Sequence, residues 1–134
     1  MKSFTGETLR WAVHEGILEL TLDHAPANEI GTAMLAELEK FVSALDSLAG
    51  EFSVCIISSA RKHGFSAGGD LRELYLTALP LPGEERRAGI RAFLERIHKV
   101  FNAIDAAPMV TVAAVHGVCF GGGFELALTC DLII

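Results

Sequence analysis

HGVCFGGGFELALTCDLII, residues 116–134, places three consecutive glycines, Gly121 to Gly123, directly before a run of helical character. A single carboxylate, Glu125, follows among the apolar neighbours Phe124, Leu126, Ala127 and Leu128. Ordered glycine costs backbone entropy, so a triplet needs a physical reason. Either the backbone must enter a conformation closed to other residues, or something must approach it closely.

The same arrangement occurs earlier in the chain. CIISSARKHGFSAGGDLREL (55–74) and TVAAVHGVCFGGGFELAL (111–128) each run strand, His-Gly, three residues, glycines, helix. Aligned on His63-Gly64 and His116-Gly117, Gly68-Gly69 fall on Gly121-Gly122. Two copies are too few for a solenoid. They predict two glycine turns at strand ends, each opening a helix and facing the other. A helix N-terminus presents unpaired N–H groups with a positive partial charge. Two such turns can aim two N–H donors at one oxygen, which is how an oxyanion hole is built.

Outward from these turns the pattern is an α/β alternation. Leu9–Val13 and Ile17–Asp23 alternate in period two around His14-Glu15-Gly16, a hairpin signal. APANEIG (25–31) reads as a loop, and Thr32 as the cap of a helix carrying Leu35, Leu38, Phe41, Val42, Leu45 and Leu48. SVCII (53–57) is a buried strand, and KHGFSAGGD (62–70) a loop. Asp70 with Glu73 forms a capping box for a short helix, Leu71–Leu76. After the Pro-rich break LPLPGEE (79–85), a long helix carries a stripe from Ile90 to Ile104, read as core packing. Pro108 ends it, and MVTVAAV (109–115) is a second buried strand.

The 134 residues are one domain's worth of chain, 1–134, with enough apolar residues (51%) to bury a core. The net charge of −6 excludes a nucleic-acid partner. Arg86, Arg87, Arg91 and Arg96 form the one basic cluster, diluted by Glu84, Glu85 and Glu95, and read as a solvated helix face. Cys55, Cys119 and Cys130 make no C-x-x-C pair and sit in apolar surroundings, as buried free thiols do. With no apolar segment after Met1 resembling a signal sequence, this predicts a reducing, cytoplasmic location. No apolar run is long enough to span a bilayer. The histidines are scattered and predict no metal site.

Several motifs compete for the glycine turns. G-x-G-x-x-G occurs around neither cluster, which removes the dinucleotide fingerprint. Gly64–Gly69 and Gly117–Gly122 match the outer glycines of a P-loop, but Asp70 and Gly123 stand where Lys is required. GFSAG (64–68) matches a nucleophile elbow with Ser66 as nucleophile, and Asp105 and His116 follow in the right order. That serine-hydrolase reading leaves the triplet and Glu125 unexplained, and SARKH (59–63) intervenes between strand and turn.

FSAGGDLREL (65–74) and AAVHGVCFGGGFELALTCDLII (113–134) resemble the two signature segments of the crotonase superfamily, the enoyl-CoA hydratases and isomerases. The hairpin and DHAPANEIG (23–31) resemble that family's N-terminal portion. The resemblance implies an α/β fold, a spiral of repeated β-β-α units shared with Clp-type proteases, and a coenzyme A thioester substrate with no separate cofactor. It assigns one oxyanion N–H to Gly69 and the other to Gly122, which are equivalent positions in the internal echo. Glu125 falls on the first of two glutamates used by hydratases. Ala67, Gly69, Asp70 and Leu71 become backbone contacts to CoA, and Ala27 a lining residue of the pantetheine path. His63 and His116 take structural roles, and Arg61 and Lys62 stand within plausible reach of the CoA phosphates without being assigned to them.

A lone first-turn glutamate has reason enough in the helix dipole, about 0.3–1 kcal/mol. The apolar neighbours of Glu125 instead predict a dry cleft around a carboxylate placed for proton transfer. Relatives continue past the equivalent of Ile134, where the second hydratase glutamate and oligomerisation helices lie. The chain therefore reads as an N-terminal portion, homo-oligomeric as a trimer or dimer of trimers when full length. Hydration of a 2-enoyl-CoA is the expected reaction. A Δ3-Δ2 isomerase, a thioester hydrolase and a non-catalytic CoA-thioester binding fragment stay open beside it.

Overall fold

The computed structural model describes residues 2–134. Three antiparallel strands come first: β1 (Ser3–Thr5), β2 (Leu9–His14) and β3 (Ile17–Leu22). The β2–β3 hairpin closes through Glu15 (φ 49°) and Gly16 (φ 80°). Both are left-handed, as a two-residue turn matching the strand twist requires. The hairpin stands as the alternation predicts. β1, with three residues, is too short to show a period in the sequence.

From β3 the chain changes to parallel pairing. Helix α1 (Thr32–Leu45) leads to β4 (Val54–Ser59), which lies parallel to β3. β5 (Gly64–Ser66), α2 (Leu71–Thr77) and α3 (Gly83–Asp105) follow, then β6 (Val110–Ala113) beside β4. β7 (Val118–Cys119), α4 (Gly121–Leu128) and β8 (Leu132–Ile133) complete the chain. The main sheet has the order β1-β2-β3-β4-β6-β8, and β5 pairs with β7 in a second, two-stranded sheet. Each echo segment is thus one β-β-α unit, with its first strand in the large sheet and its second in the small one. The stretch read as a loop, KHGFSAGGD, contains β5, a strand that forms only because β7 supplies its hydrogen bonds.

The core lies between the large sheet and α1. Leu18, Leu20 and Leu22 of β3 and Leu35, Leu38 and Phe41 of α1 are fully buried. Trp11 joins β2 to α1 through Phe41, with ring centroids 6.5 Å apart. α3 crosses α1, and Arg96 holds Glu39 in a bidentate pair at 2.8 and 2.7 Å. Arg96 therefore leaves the solvated basic face predicted for it. Ile97, Val100, Phe101 and Ile104 of the α3 stripe are buried in the core, and Phe93 packs against its edge. Leu94 is 46% exposed, and the N-terminal half of the stripe lines a cleft instead.

Two capping expectations change. Gly31, not Thr32, occupies the N-cap of α1, without a side-chain cap of its own. The Glu73 carboxylate supplies it from α2, accepting the Thr32 N–H at 3.0 Å and also the Thr32 hydroxyl. Only half of the Asp70–Glu73 capping box forms: Asp70 Oδ1 accepts the Glu73 N–H at 2.9 Å. The Asp70 N–H donates to the Ile30 carbonyl rather than to Glu73. Glu73 ties two helices together where the sequence pattern indicated one.

A buried carboxylate not singled out in the sequence anchors the β1–β2 turn. Glu37 of α1 accepts from the N–H groups of Glu7 (2.7 Å), Thr8 (2.9 Å) and Leu9 (3.1 Å), and from the Thr8 hydroxyl at 2.6 Å. Burial pushes this carboxyl up, but the Thr8 hydroxyl and the three amides outweigh it and hold it below the usual range. Among the described residues no helix is long and apolar enough to cross a membrane.

Candidate active site

The segment from Ala27 to Ile30 organises the first glycine turn. Asn28 is fully buried and left-handed (φ 54°), a conformation asparagine tolerates. Its Oδ1 accepts the His24 N–H at 2.7 Å, and its Nδ2 donates to Ser59 Oγ and to the Phe65 carbonyl at 2.7 and 2.9 Å. The Ala67 N–H donates to the Ala27 carbonyl, and the Ile30 N–H to the Gly68 carbonyl at 2.7 Å. Ala27, predicted to line the pantetheine path, and Ala67, predicted as a backbone contact to CoA, are therefore backbone neighbours.

Parallel pairing of β5 with β7 then brings the second turn against the first. A β-carbon added at Gly68 (φ 90°) would lie 2.7 Å from the Phe120 carbonyl oxygen, and one at Gly123 would lie 2.5 Å from Ser66 Cβ. Both positions have no room for a side chain.

The two glycines assigned to the oxyanion site differ from these. Nothing lies within 4 Å of a β-carbon built at Gly69. One built at Gly122 meets Ile30 Cδ1 at 3.6 Å, and Glu125 Oε2 and the Gly69 nitrogen both at 3.9 Å, all ordinary contacts. Gly122 is the second residue of α4, so its N–H has no partner within the helix. Neither its N–H nor that of Gly69 donates to another backbone group of the described residues. Of the triplet, then, Gly121 supplies a left-handed turn (φ 45°), Gly123 admits the close approach of Ser66, and Gly122 faces the Gly69 nitrogen and Glu125 across uncrowded space.

Glu125 is near that space but not in a dry cleft. Its residue is exposed, and it takes part in none of the ion pairs among the described residues. The apolar neighbours that suggested desolvation divide between two faces: Leu126 and Ala127 are buried, while Phe124 (49%) and Leu128 (58%) are exposed. One helical turn cannot surround a side chain by itself.

Ser66 is not placed as a nucleophile. It is fully buried, its hydroxyl donates to the Asn28 carbonyl at 2.7 Å and accepts the Gly68 N–H at 3.1 Å. His116 Nε2 lies 2.8 Å from the Arg61 carbonyl instead. The His63 carbonyl accepts the Val118 N–H, and the His116 carbonyl the Phe65 N–H, so both histidines serve the β5–β7 junction. Arg61 pairs with Asp23, whose carboxyl it holds below the usual range. Cys55 is buried and Cys119 and Cys130 half-buried, all free; burial pushes Cys55 up to about 12 and Cys130 to about 11.

A cleft of about 430 Å³ opens beside Gly69 and runs between α2 and α3. Ile30 forms its floor, with Leu74, Ile90, Phe93 and Leu94 on its walls. Asp70 and Leu71 stand at its mouth, with Leu71 75% exposed.

A sequence profile described as enoyl-CoA hydratase/isomerase matches residues 12–134. The chain belongs to the enoyl-CoA hydratase/isomerase family. It is 32% identical over 123 residues to a protein of Bacillus subtilis (strain 168) named probable enoyl-CoA hydratase, covering 92% of this chain and 44% of that one. It is 33% identical over 119 residues to the human enoyl-CoA hydratase domain-containing protein 2, mitochondrial, covering 88% and 38%. The chain thus spans less than half the length of these curated relatives.

Solved structures of the enoyl-CoA hydratase/isomerase family share the fold. An enoyl-CoA hydratase/isomerase from Xanthobacter autotrophicus Py2 superposes with a TM-score of 0.81 at 25% identity, covering 96% of this chain and 46% of that one. A family protein from Silicibacter pomeroyi gives 0.78 at 29%, covering 93% and 50%. The crotonase-like α/β fold implied by the resemblance is the fold observed.

Proposed function

We propose that this chain carries the oxyanion half of an enoyl-CoA hydratase site and acts on a 2-enoyl-CoA thioester. The observation that carries the reading is the pair of uncommitted N–H groups at Gly69 and Gly122, on two turns in contact with one another. A thioester carbonyl oxygen seated between them would receive two hydrogen bonds that strengthen as enolate charge develops on it. The acyl chain would follow the apolar cleft from Gly69. The backbones of Ala67, Gly69, Asp70 and Leu71, with Ala27, would border the CoA portion.

Glu125 stands beside the Gly122 space as the carboxylate for proton transfer. It would take a proton from water as the water oxygen bonds to C3 and the electron pair moves through C2 onto the thioester oxygen. A second proton donor must then deliver a proton to C2. A single carboxylate that removes a proton at one carbon and returns it at another would isomerise the double bond instead, so product analysis separates the two reactions.

Membership of the family supports the thioester class; the choice of hydration rests on the resemblance of Glu125 to the first of two hydratase glutamates. Calorimetric titration with acetoacetyl-CoA tests binding. Saturable heat, reduced by Gly122→Ala, is the expected result. No saturable binding to a folded chain would overturn the reading.

A further inference from the structure

We propose that the cleft selects acyl groups bearing a carboxylate at the end distant from the thioester, with Arg86 as the residue that recognises it. The inference rests on the thioester reading above. It begins from an imbalance in the cleft wall. Thr32, Asp70, Glu73, Thr77 and Arg86 are its polar side chains. Thr32 is bonded to Glu73, Asp70 accepts the Glu73 N–H, and the Thr77 hydroxyl donates to the Glu73 carbonyl at 2.8 Å. Each of those four has its partner within the wall.

Arg86 does not. Its Nη2 donates to the Leu81 carbonyl at a long 3.3 Å, and its Nε is shut off from solvent with no hydrogen-bond partner. It belongs to none of the ion pairs among the described residues, although Glu84 and Glu85 stand in the same turn of α3. Guanidinium donors normally find acceptors when desolvated, and a planar fork suits a carboxylate in two-point contact. An apolar cleft with one guanidinium that is outside every ion pair and held by a single long hydrogen bond therefore suits a ligand that is apolar along its length and anionic at its tip.

The fold sets the spacing. Gly69 precedes α2, while Arg86 leans on Leu81, beyond the end of that helix. Seven residues of α2 at helical rise separate the two ends by about 10 Å. A thioester carbonyl held at Gly69 thus leaves room for several methylenes before Arg86. The N-terminus of the 23-residue α3 adds its positive end at the same place.

Adipoyl-CoA and hexanoyl-CoA have equal chain length and differ in the terminal carboxylate, so their calorimetric dissociation constants test the proposal. We expect adipoyl-CoA to bind about tenfold or more tightly, the scale of one charge-assisted pair. Arg86→Met should abolish that preference while leaving hexanoyl-CoA binding unchanged, and Arg86→Lys should retain part of it. Thermal melts report whether each variant is folded, and the wild-type comparison stands without them. Equal or weaker binding of adipoyl-CoA by the wild-type chain overturns the proposal, as does a preference that survives in folded Arg86→Met. Failure of both thioesters to bind instead overturns the thioester reading itself, and this inference with it.

Discussion

The amide nitrogen of Gly69 lies 3.9 Å from the position that a β-carbon on Gly122 would take, although the two residues belong to different β-β-α units. The same point lies 3.9 Å from Glu125 Oε2. A side chain at Gly122 would therefore occupy ligand space rather than protein space. Gly122→Ala should lower turnover by about 10²–10³, the effect of spoiling one oxyanion donor. Its melting temperature should stay close to wild type. Gly123→Ala should do the reverse, because its methyl would meet Ser66 at 2.5 Å and the unit must shift to admit it. Melts and turnover measured on both variants check the contrast; equal destabilisation would sink the assignment of Gly122.

Glu125→Gln keeps the shape of the side chain and removes its proton-carrying capacity. We expect kcat to fall by about 10²–10⁴ with thioester affinity nearly unchanged. Since Glu125 is exposed, the substitution should leave the melting temperature unaltered. An unchanged kcat with intact binding would reduce the site to a thioester-binding one.

Ser66→Ala separates the buried hydroxyl from the elbow reading. It removes the donor to the Asn28 carbonyl and the acceptor of the Gly68 N–H. The expected cost is about 1–3 kcal/mol in chemical denaturation, the penalty of unpaired buried polar groups. Fluorophosphonate probes should not label the wild-type chain. A labelled Ser66 would restore the serine-hydrolase alternative.

Glu37 predicts an acid-sensitive fold. Its folded carboxyl lies below its unfolded value, so its contribution is fully present above the unfolded value of about 4.3 and is lost as pH falls through the folded one. Stability followed by denaturant titration should decline across that acid window. Glu37→Gln should flatten the decline and lower stability at neutral pH, where three amides and the Thr8 hydroxyl lose their charged acceptor. An identical pH profile in the variant would assign the acid loss to other carboxylates, such as Asp23 and Asp131, whose carboxyls are also held low.

The amino-acid sequence by itself determined the elements with their own period or punctuation. The β2–β3 hairpin follows from its alternation and its Glu15-Gly16 turn, and α1 and the core half of α3 follow from helical spacing. The two glycine turns were legible because the same spacing occurs twice, and the family resemblance then singled out Gly69 and Gly122, which are equivalent positions in that spacing. What only tertiary structure decided concerns partners far apart in the chain. β5 has three residues and no period of its own, so only β7 makes it a strand. Glu37 and Asn28 look like ordinary polar residues until their distant amides and carbonyls are in place. The exposure of Glu125, the transfer of Glu73 from its own helix to the cap of α1, and the uncommitted Nε of Arg86 are of the same kind. Local propensity acts through neighbours a few residues away, whereas burial and hydrogen-bond satisfaction depend on which surfaces folding brings together.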